Sequence, residues 1–328
     1  MRKRPTFALA LVLCVAAIEP ASAKTVDREF HESFNVSPGA RLDLNHGDGD
    51  VDIEPWDRDV IDVYVRYHAE LKGGGIRSEP DFEVDFEQSG DTVRVRGREI
   101  GNRGIGFFFS REHEYTYTIK APAYVVLDTK GDDGNIDVDG WRADIAIALD
   151  DGDLWLRDVE AVAVRIEAQD GDVEIDGLKA SLDIRLDDGD VDIVDCESNR
   201  LKIRAQDGNV ILDRCRGDFE IAVDDGDVDI TRASVSKLDV RANDGDVDLE
   251  LASATDLDLY VDAEDGDVSV ELGSGISAAF SVETDDGSIR VSSTDWILTK
   301  KDHRVTGEIG NGEGRIRITT SDGNVTLR

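Results

Sequence analysis

The turn Asp-Gly-Asp returns along this chain at a nearly fixed interval, and that interval restricts the fold more than any other feature. The turn glycines are Gly152, Gly171, Gly189, Gly208, Gly226, Gly245, Gly266 and Gly287, and the first six are spaced 19, 18, 19, 18 and 19 residues apart. A period of this length marks a stacked repeat. Seven residues before each glycine stands an apolar residue, from Ile145, Val164 and Leu182 to Leu259 and Phe280. Others follow five before (Ile147, Ile166, Ile184), two after (Leu154, Val173, Val191) and four after (Leu156, Ile175, Ile193). The residues between are mostly charged. Alternation on both sides of a tight turn means two short strands per repeat, each with one buried face.

Two geometries satisfy this pattern. A meander pairs each strand with its neighbour across the turn, for which Asp-Gly is well suited. A β-solenoid stacks each repeat on the one before, so equivalent positions form columns. The same residue class recurs at the same offset for eight copies, and the phase survives the alternation between 18 and 19. A solenoid needs such register and a meander does not. The expected fold is all-β, a parallel β-solenoid (β-helix) with rungs of 18–19 residues and two short strands each. Right-handed winding is the default for parallel crossovers. Four or five inward side chains cannot offset the entropy of ordering a whole rung, so rungs hold only in stacks with capped ends.

Along the chain, residues 1–23 read as a secretory signal peptide. Arg2-Lys3-Arg4 precede an apolar run from Phe7 to Ile18, and Ala21-Ser22-Ala23 forms a small-residue cleavage site. That run is too short for a membrane span, and no other stretch is apolar enough. Residues 24–120 read as irregular rungs with period-two strands, interrupted by the glycine-marked loops Lys72–Gly75 and Gly101–Phe109. Phe107–Phe109 would cover the open side of the stack or form a contact site. Residues 121–291 are the regular solenoid. Residues 292–328 read as a degenerate rung and a C-terminal cap, with the final rung, around Asp322-Gly323-Asn324, ending the protein.

Several residues resemble those of a known family. Rungs of the form Leu-Asp-Asp-Gly-Asp-Val-Asp-Ile (186–193), the lead-in Ala121-Pro122-Ala123-Tyr124 and the closing Gly310–Ile318 with Asp322–Val325 resemble the bacterial adhesin-like β-strand repeat family, also described as a domain of unknown function. The resemblance implies a parallel β-solenoid at the bacterial envelope, often labelled adhesin without a defined ligand, with envelope-stress sensing among the roles of its relatives. One departure is that Asp replaces the small or Ser-type residue preceding the turn glycine in nearly every rung.

The formal charge is −36, so the surface repels nucleic acid and anionic lipid and attracts cations and basic partners. Its densest part is the turn edge. Asp151, Asp170, Asp188, Asp225 and Asp244 precede the glycine, and Asp153, Asp172, Asp190, Asp227 and Asp246 follow it. Neighbours in a column stand ~4.8 Å apart, where two exposed charges repel by about 0.9 kcal/mol in water. Two readings stay open. The aspartates accept backbone N–H bonds within their turns, or adjacent rungs offer four carboxylates around a gap that suits Ca²⁺ and its oxygen shell. Cys196 and Cys215 fall one rung apart in one column, with Val159, Leu178, Ala233 and Ala252. They either fill the core as thiols or form a disulfide across rungs, at a spacing that suits one in an exported protein.

Enzyme signatures are missing. His31, His46, His68, His113 and His303 show no metal-ligand spacing, there is no Gly-x-Ser-x-Gly elbow, and uniform rungs do not build the cleft of a polysaccharide-cleaving β-helix. The expected function is a non-catalytic, exported adhesin-like or scaffold module, periplasmic or at the cell surface, that engages a protein or glycan without a cofactor. A calcium-dependent binding module is the alternative, and a carbohydrate-active enzyme the remote one.

Overall fold

The computed structural model describes residues 24–71, 81–100, 111–252, 256–292 and 296–328. Residues 1–23, read above as a signal peptide, and the two glycine-marked segments, with Phe107–Phe109, lie outside the described residues. Among the described residues all regular structure is β, and no helix is long and apolar enough to cross a membrane.

The columns are real neighbours. Ahead of the turn, Ile145 pairs in parallel with Val164, Val164 with Leu182, Leu182 with Leu201, Leu201 with Phe219, Phe219 with Leu238, and Leu238 with Leu259. After the turn, Leu154, Val173, Val191, Val210, Val228, Val247 and Val268 pair in the same succession. Each partner stands one rung further along the chain, so the architecture is a β-solenoid-like stack. The inward columns form one continuous apolar core.

Glycine is required at the turn for two reasons. From Gly152 to Gly266 the seven turn glycines have φ between +122° and +146°, which L side chains rarely adopt. A Cβ at any of them would also lie 2.0–2.4 Å from the carbonyl oxygen of the turn glycine one rung earlier. Rungs can approach to ladder distance only where that atom is missing.

A second corner lies six residues after the glycine. Gly140, Asp158, Gly177, Asp195, Arg214 and Arg232 occupy it, all with φ between +47° and +76°. The four non-glycine residues carry charge outward and tie rungs together: Arg142 bonds Asp158, Arg214 bonds Asp195 with two N–H donors at 2.7 and 2.9 Å, and Arg232 bonds Asp213 at 2.7 Å.

The order of rungs departs from the order of the chain at its end. Leu259 pairs in parallel with Ile316, and Ile316 pairs in parallel with Phe280. On the other sheet Val325 stands between Val268 and Ile289. The rung formed by Gly314–Asp322 and Val325–Leu327 is therefore inserted between the two rungs that precede it in sequence, and does not extend the stack. Ile316, Ile318, Val325 and Leu327 are fully buried there. A matching inversion opens the chain: Leu42 pairs with both Leu127 and Val93, and Val51 with both Ile136 and Tyr117. Antiparallel strands close both ends, Val60–Leu71 against Arg111–Pro122 and Lys24–Asn35, and Arg304–Ile309 against Ala278–Asp286.

Candidate functional site

The turn edge is the densest collection of ionisable groups on the molecule, and its three columns have different work. In the column after the glycine each side chain accepts the backbone N–H of its counterpart on the next rung. Asp153 Oδ1 accepts from Asp172 N at 3.0 Å, Asp172 from Asp190 N at 2.9 Å, and Asp190 from Asn209 N at 2.7 Å. Asn209 Oδ1 accepts from Asp227 N at 3.0 Å, Asp227 from Asp246 N at 2.8 Å, and Asp246 from Asp267 N at 2.8 Å. The ladder starts at Asp50 and Asn135 and finishes through Asn324 on Ser288. These side chains satisfy amides that the parallel pairing leaves over at the turn. The partner lies on the neighbouring rung, whereas the structural one of the two sequence readings placed it within each turn.

Two positions before the glycine, amides alternate with acids as donors to them. Gln169 Nε2 donates to Asp150 at 2.6 Å, Gln206 Nε2 to Asp187 at 2.6 Å, and Asn243 Nδ2 to Asp224 at 3.0 Å.

The column immediately before the glycine has no such relief. The backbone carbonyls of Asp151, Asp170, Asp188, Asp207, Asp225, Asp244 and Asp265 each accept the N–H of a turn glycine one rung earlier. At the start of the column the carboxyl groups of Asp133, Asp151, Asp170 and Asp188 lie against one another. A hydrogen bond to Asp151, with desolvation and the Asp151 and Asp188 charges behind it, holds the Asp170 carboxyl above the usual range. Desolvation and then Asp151 do the same to Asp133. Groups with raised values oppose folding when ionised, so their contribution improves as pH falls through their folded values.

The ten aspartates singled out in the sequence thus divide. Asp153, Asp172, Asp190, Asp227 and Asp246 each commit one oxygen to an amide. The carboxylates of Asp151, Asp170, Asp188, Asp225 and Asp244 have no backbone partner among the described residues. Among the described residues no three His, Cys, Asp or Glu side chains form a group that could hold a metal ion.

Cys196 and Cys215 are unbridged, buried thiols. Val194 pairs with Asp213 and Glu197 with Arg216, which sets the two cysteines side by side on adjacent rungs. Cys215 Sγ also lies 3.6 Å from Asp213 O and 3.7 Å from Ile193 O. Contact with Cys215, and burial after it, push the Cys196 thiol up. Further along that column Ala233 pairs with Leu251, where the sequence offset pointed to Ala252; a register shift between Ile230 and Ala233 turns Leu251 inward.

One buried ionisable group stands apart from the edge. His46 is 1% exposed, and neither ring nitrogen has a hydrogen-bond partner among the described residues. Burial pulls its imidazole down to about 4. Gly131 makes room for it, since a Cβ there would stand 2.1 Å from the ring, and Tyr117 packs edge-on at 6.0 Å while its hydroxyl donates to His46 O. The alternation of Leu42, Leu44 and His46 was the signal that placed it inward.

Comparison with known proteins agrees with the repeat architecture. The family model described as Toastrack DUF4097, a domain of unknown function, matches residues 40–218 and 216–328. No curated protein matches the chain. Among solved structures, a proposed cell adhesion protein from Clostridium sporogenes ATCC 15579 aligns over 92% of this chain and 99% of its own, at 11% identity and a TM-score of 0.20. A proposed lipid binding protein from Parabacteroides distasonis ATCC 8503 aligns over 92% and 96%, at 11% identity and a TM-score of 0.34. Neither superposition is close enough to carry an argument. The two family-model matches span most of the chain, which belongs to the Toastrack DUF4097 family.

Proposed function

We propose that this member of the Toastrack DUF4097 family is a non-catalytic, exported interaction module of the bacterial cell envelope, adhesin-like or scaffolding, that offers its outward side chains to a protein or glycan. The leader pattern at 1–23 supports export, to the periplasm or the cell surface. The observation that carries the reading is the amide ladder: the aspartates that most suggest an active or metal site are used to hold rung to rung. What is left is a rigid rod with a repetitive polar surface, wound right-handed by the usual rule for parallel crossovers. Residues 24–328, presented to a panel of envelope polysaccharides and surface proteins, would bind at least one and cleave none. New reducing ends or cleaved peptide bonds would refute it.

A calcium-dependent reading has one observation in its favour. The carboxylates at Asp133, Asp151, Asp170 and Asp188 crowd one another, and a divalent cation would relieve them. This would recruit the pre-glycine column, Asp225 and Asp244 included, in place of the full Asp-Gly-Asp edge.

A further inference from the structure

The outer face of the pre-turn sheet carries a depression of about 420 Å³ that no part of the turn edge reaches. Its floor is made by small side chains on three successive rungs, Ala146, Ala163 and Ser181. Its rim is cationic, with Arg41, Arg165, Arg200 and Lys202, in a chain of formal charge −36. Of the two acids that also line it, Asp144 Oδ1 accepts the N–H groups of Val162 and Ala163 at 3.0 Å each. Asp183 has a buried Oδ1 with no hydrogen-bond partner among the described residues and meets only the charge of Arg185 at 3.9 Å. Of the cations, Arg41 is held by Asp128 and Lys202 by Glu220. Arg165 is exposed and makes no ion pair among the described residues, although its ladder neighbours are Ala146 and Asp183. Arg200 is also exposed and makes no ion pair among the described residues, with a longer-range attraction to Glu220.

We propose that this groove binds a carboxylate-bearing oligosaccharide, with Arg165 and Arg200 as the contacts that recognise its acid groups. Guanidinium matches carboxylate in planar, two-bond geometry. Arg165 and Arg200 lie two rungs apart and two residues out of column, since the column of Arg165 runs through Asp183 to Lys202. At ~4.8 Å per rung and ~3.3 Å per residue their backbones stand roughly 12 Å apart, a span that two long side chains can close onto acids on alternate sugars of one chain. A peptide is less well served. Every strand beneath the groove is paired on both sides, so no backbone edge is free for strand addition, and no aromatic side chain lines it for a proline-rich segment. A dense polyanion would meet the negative field of the rest of the chain, whereas a short, sparsely charged oligosaccharide is screened from it beyond about 8 Å at physiological salt.

The proposal deepens the interaction-module reading by naming a partner class, and it rests on that reading. The test is calorimetric titration of residues 24–328 with an oligosaccharide of alternating glucuronate and N-acetylglucosamine, with a neutral maltooligosaccharide of equal length and an oligoglutamate of equal charge as the other arms. The uronate binds, the neutral sugar does not, and the peptide binds at least about tenfold more weakly. Removing each guanidinium (Arg165→Ala, Arg200→Ala) weakens uronate binding by roughly tenfold or more, while Arg290→Ala, exposed elsewhere, leaves it unchanged. Both groove residues are solvent-exposed, and unchanged unfolding midpoints verify that the variants fold. No uronate binding, equal binding by the double variant, or equal affinity for oligoglutamate overturns the proposal. If wild type instead binds another envelope component on the panel, the module reading stands and only the groove assignment falls; cleavage of the oligosaccharide would sink the module reading itself.

Discussion

Replacing Asp172 separates the two consequences of a carboxylate on the turn edge. Its Oδ1 accepts Asp190 N at 2.9 Å, and its own N–H donates to Asp153. Asp172→Asn and Asp172→Ala both remove a charge flanked by like charges ~4.8 Å away, each worth about 0.9 kcal/mol of repulsion in water and less with salt. Only Asp172→Ala removes the acceptor. An exposed side-chain oxygen that satisfies an orphan amide is worth about 0.5–2 kcal/mol where it caps a helix, and the same chemistry applies here. Asp172→Asn is therefore more stable than Asp172→Ala by about 1 kcal/mol at any salt concentration, and at least as stable as wild type at low salt. The chain already makes this exchange at Asn209, whose amide oxygen accepts Asp227 N at 3.0 Å. Asp170, whose carboxyl meets Asp151 and no backbone amide among the described residues, is the control, and its Ala variant, which sheds crowding without losing an amide acceptor, should be at least as stable as wild type. Urea unfolding followed by Trp141, which is fully buried and donates to Val125 O at 2.8 Å, reads the differences. Coincident midpoints for Asp172→Asn and Asp172→Ala would refute the ladder's role.

Three more outcomes follow from the structure. A chain ending at residue 313 loses the inserted rung, with Ile316, Ile318, Val325 and Leu327, whose burial is worth up to about 6–12 kcal/mol; limited proteolysis should then remove residues 278–313 while 24–252 resists, and a truncated chain as resistant as the full one would contradict the rung order. His46 titrates at about 4 in the fold against 6.5 unfolded, so as pH falls from 6.5 to 4 the unfolded chain takes up the proton first and about 3 kcal/mol of stability is lost; His46→Leu should flatten that part of the pH–stability profile, and an unchanged slope would count against the burial. For Cys196 and Cys215 we propose that exchange with an exported disulfide oxidoreductase removes two hydrogens and joins the sulfurs, tying adjacent rungs for about 3 kcal/mol. Peptide mapping without reductant should recover the two cysteines linked, and full alkylation of both in the denatured protein would exclude the bridge.

The inward columns could be read from the sequence because alternation fixes which face a residue occupies, and Ile145, Val164 and Leu182 lie where their offset puts them. Phase does not say which rung is the neighbour. Ile316 has the same phase as Leu259 and Phe280, so nothing in the pattern places it between them. The amide ladder was hidden for a related reason: the N–H that Asp172 satisfies belongs to Asp190, and it is left over only once the rungs are stacked. The second corner was obscured by its side chains. Gly140 and Gly177 signal a positive φ, but Asp158, Asp195, Arg214 and Arg232 take the same conformation with no shared residue type. The cationic groove emerges from residues on separate rungs, in a composition whose total charge points the other way.

Whether the Asp-Gly-Asp edge is structural or a metal site is decided most directly by titrating residues 24–328 with CaCl₂ and with MgCl₂ at physiological ionic strength, and measuring the unfolding midpoint with each. If the carboxylates after the glycine are committed to amides and those before it only crowd one another, both cations give weak, similar heats and equal small shifts. Saturable binding specific to calcium, with a rise in midpoint that magnesium does not reproduce and that Asp170→Asn with Asp188→Asn abolishes, would contradict the structural account.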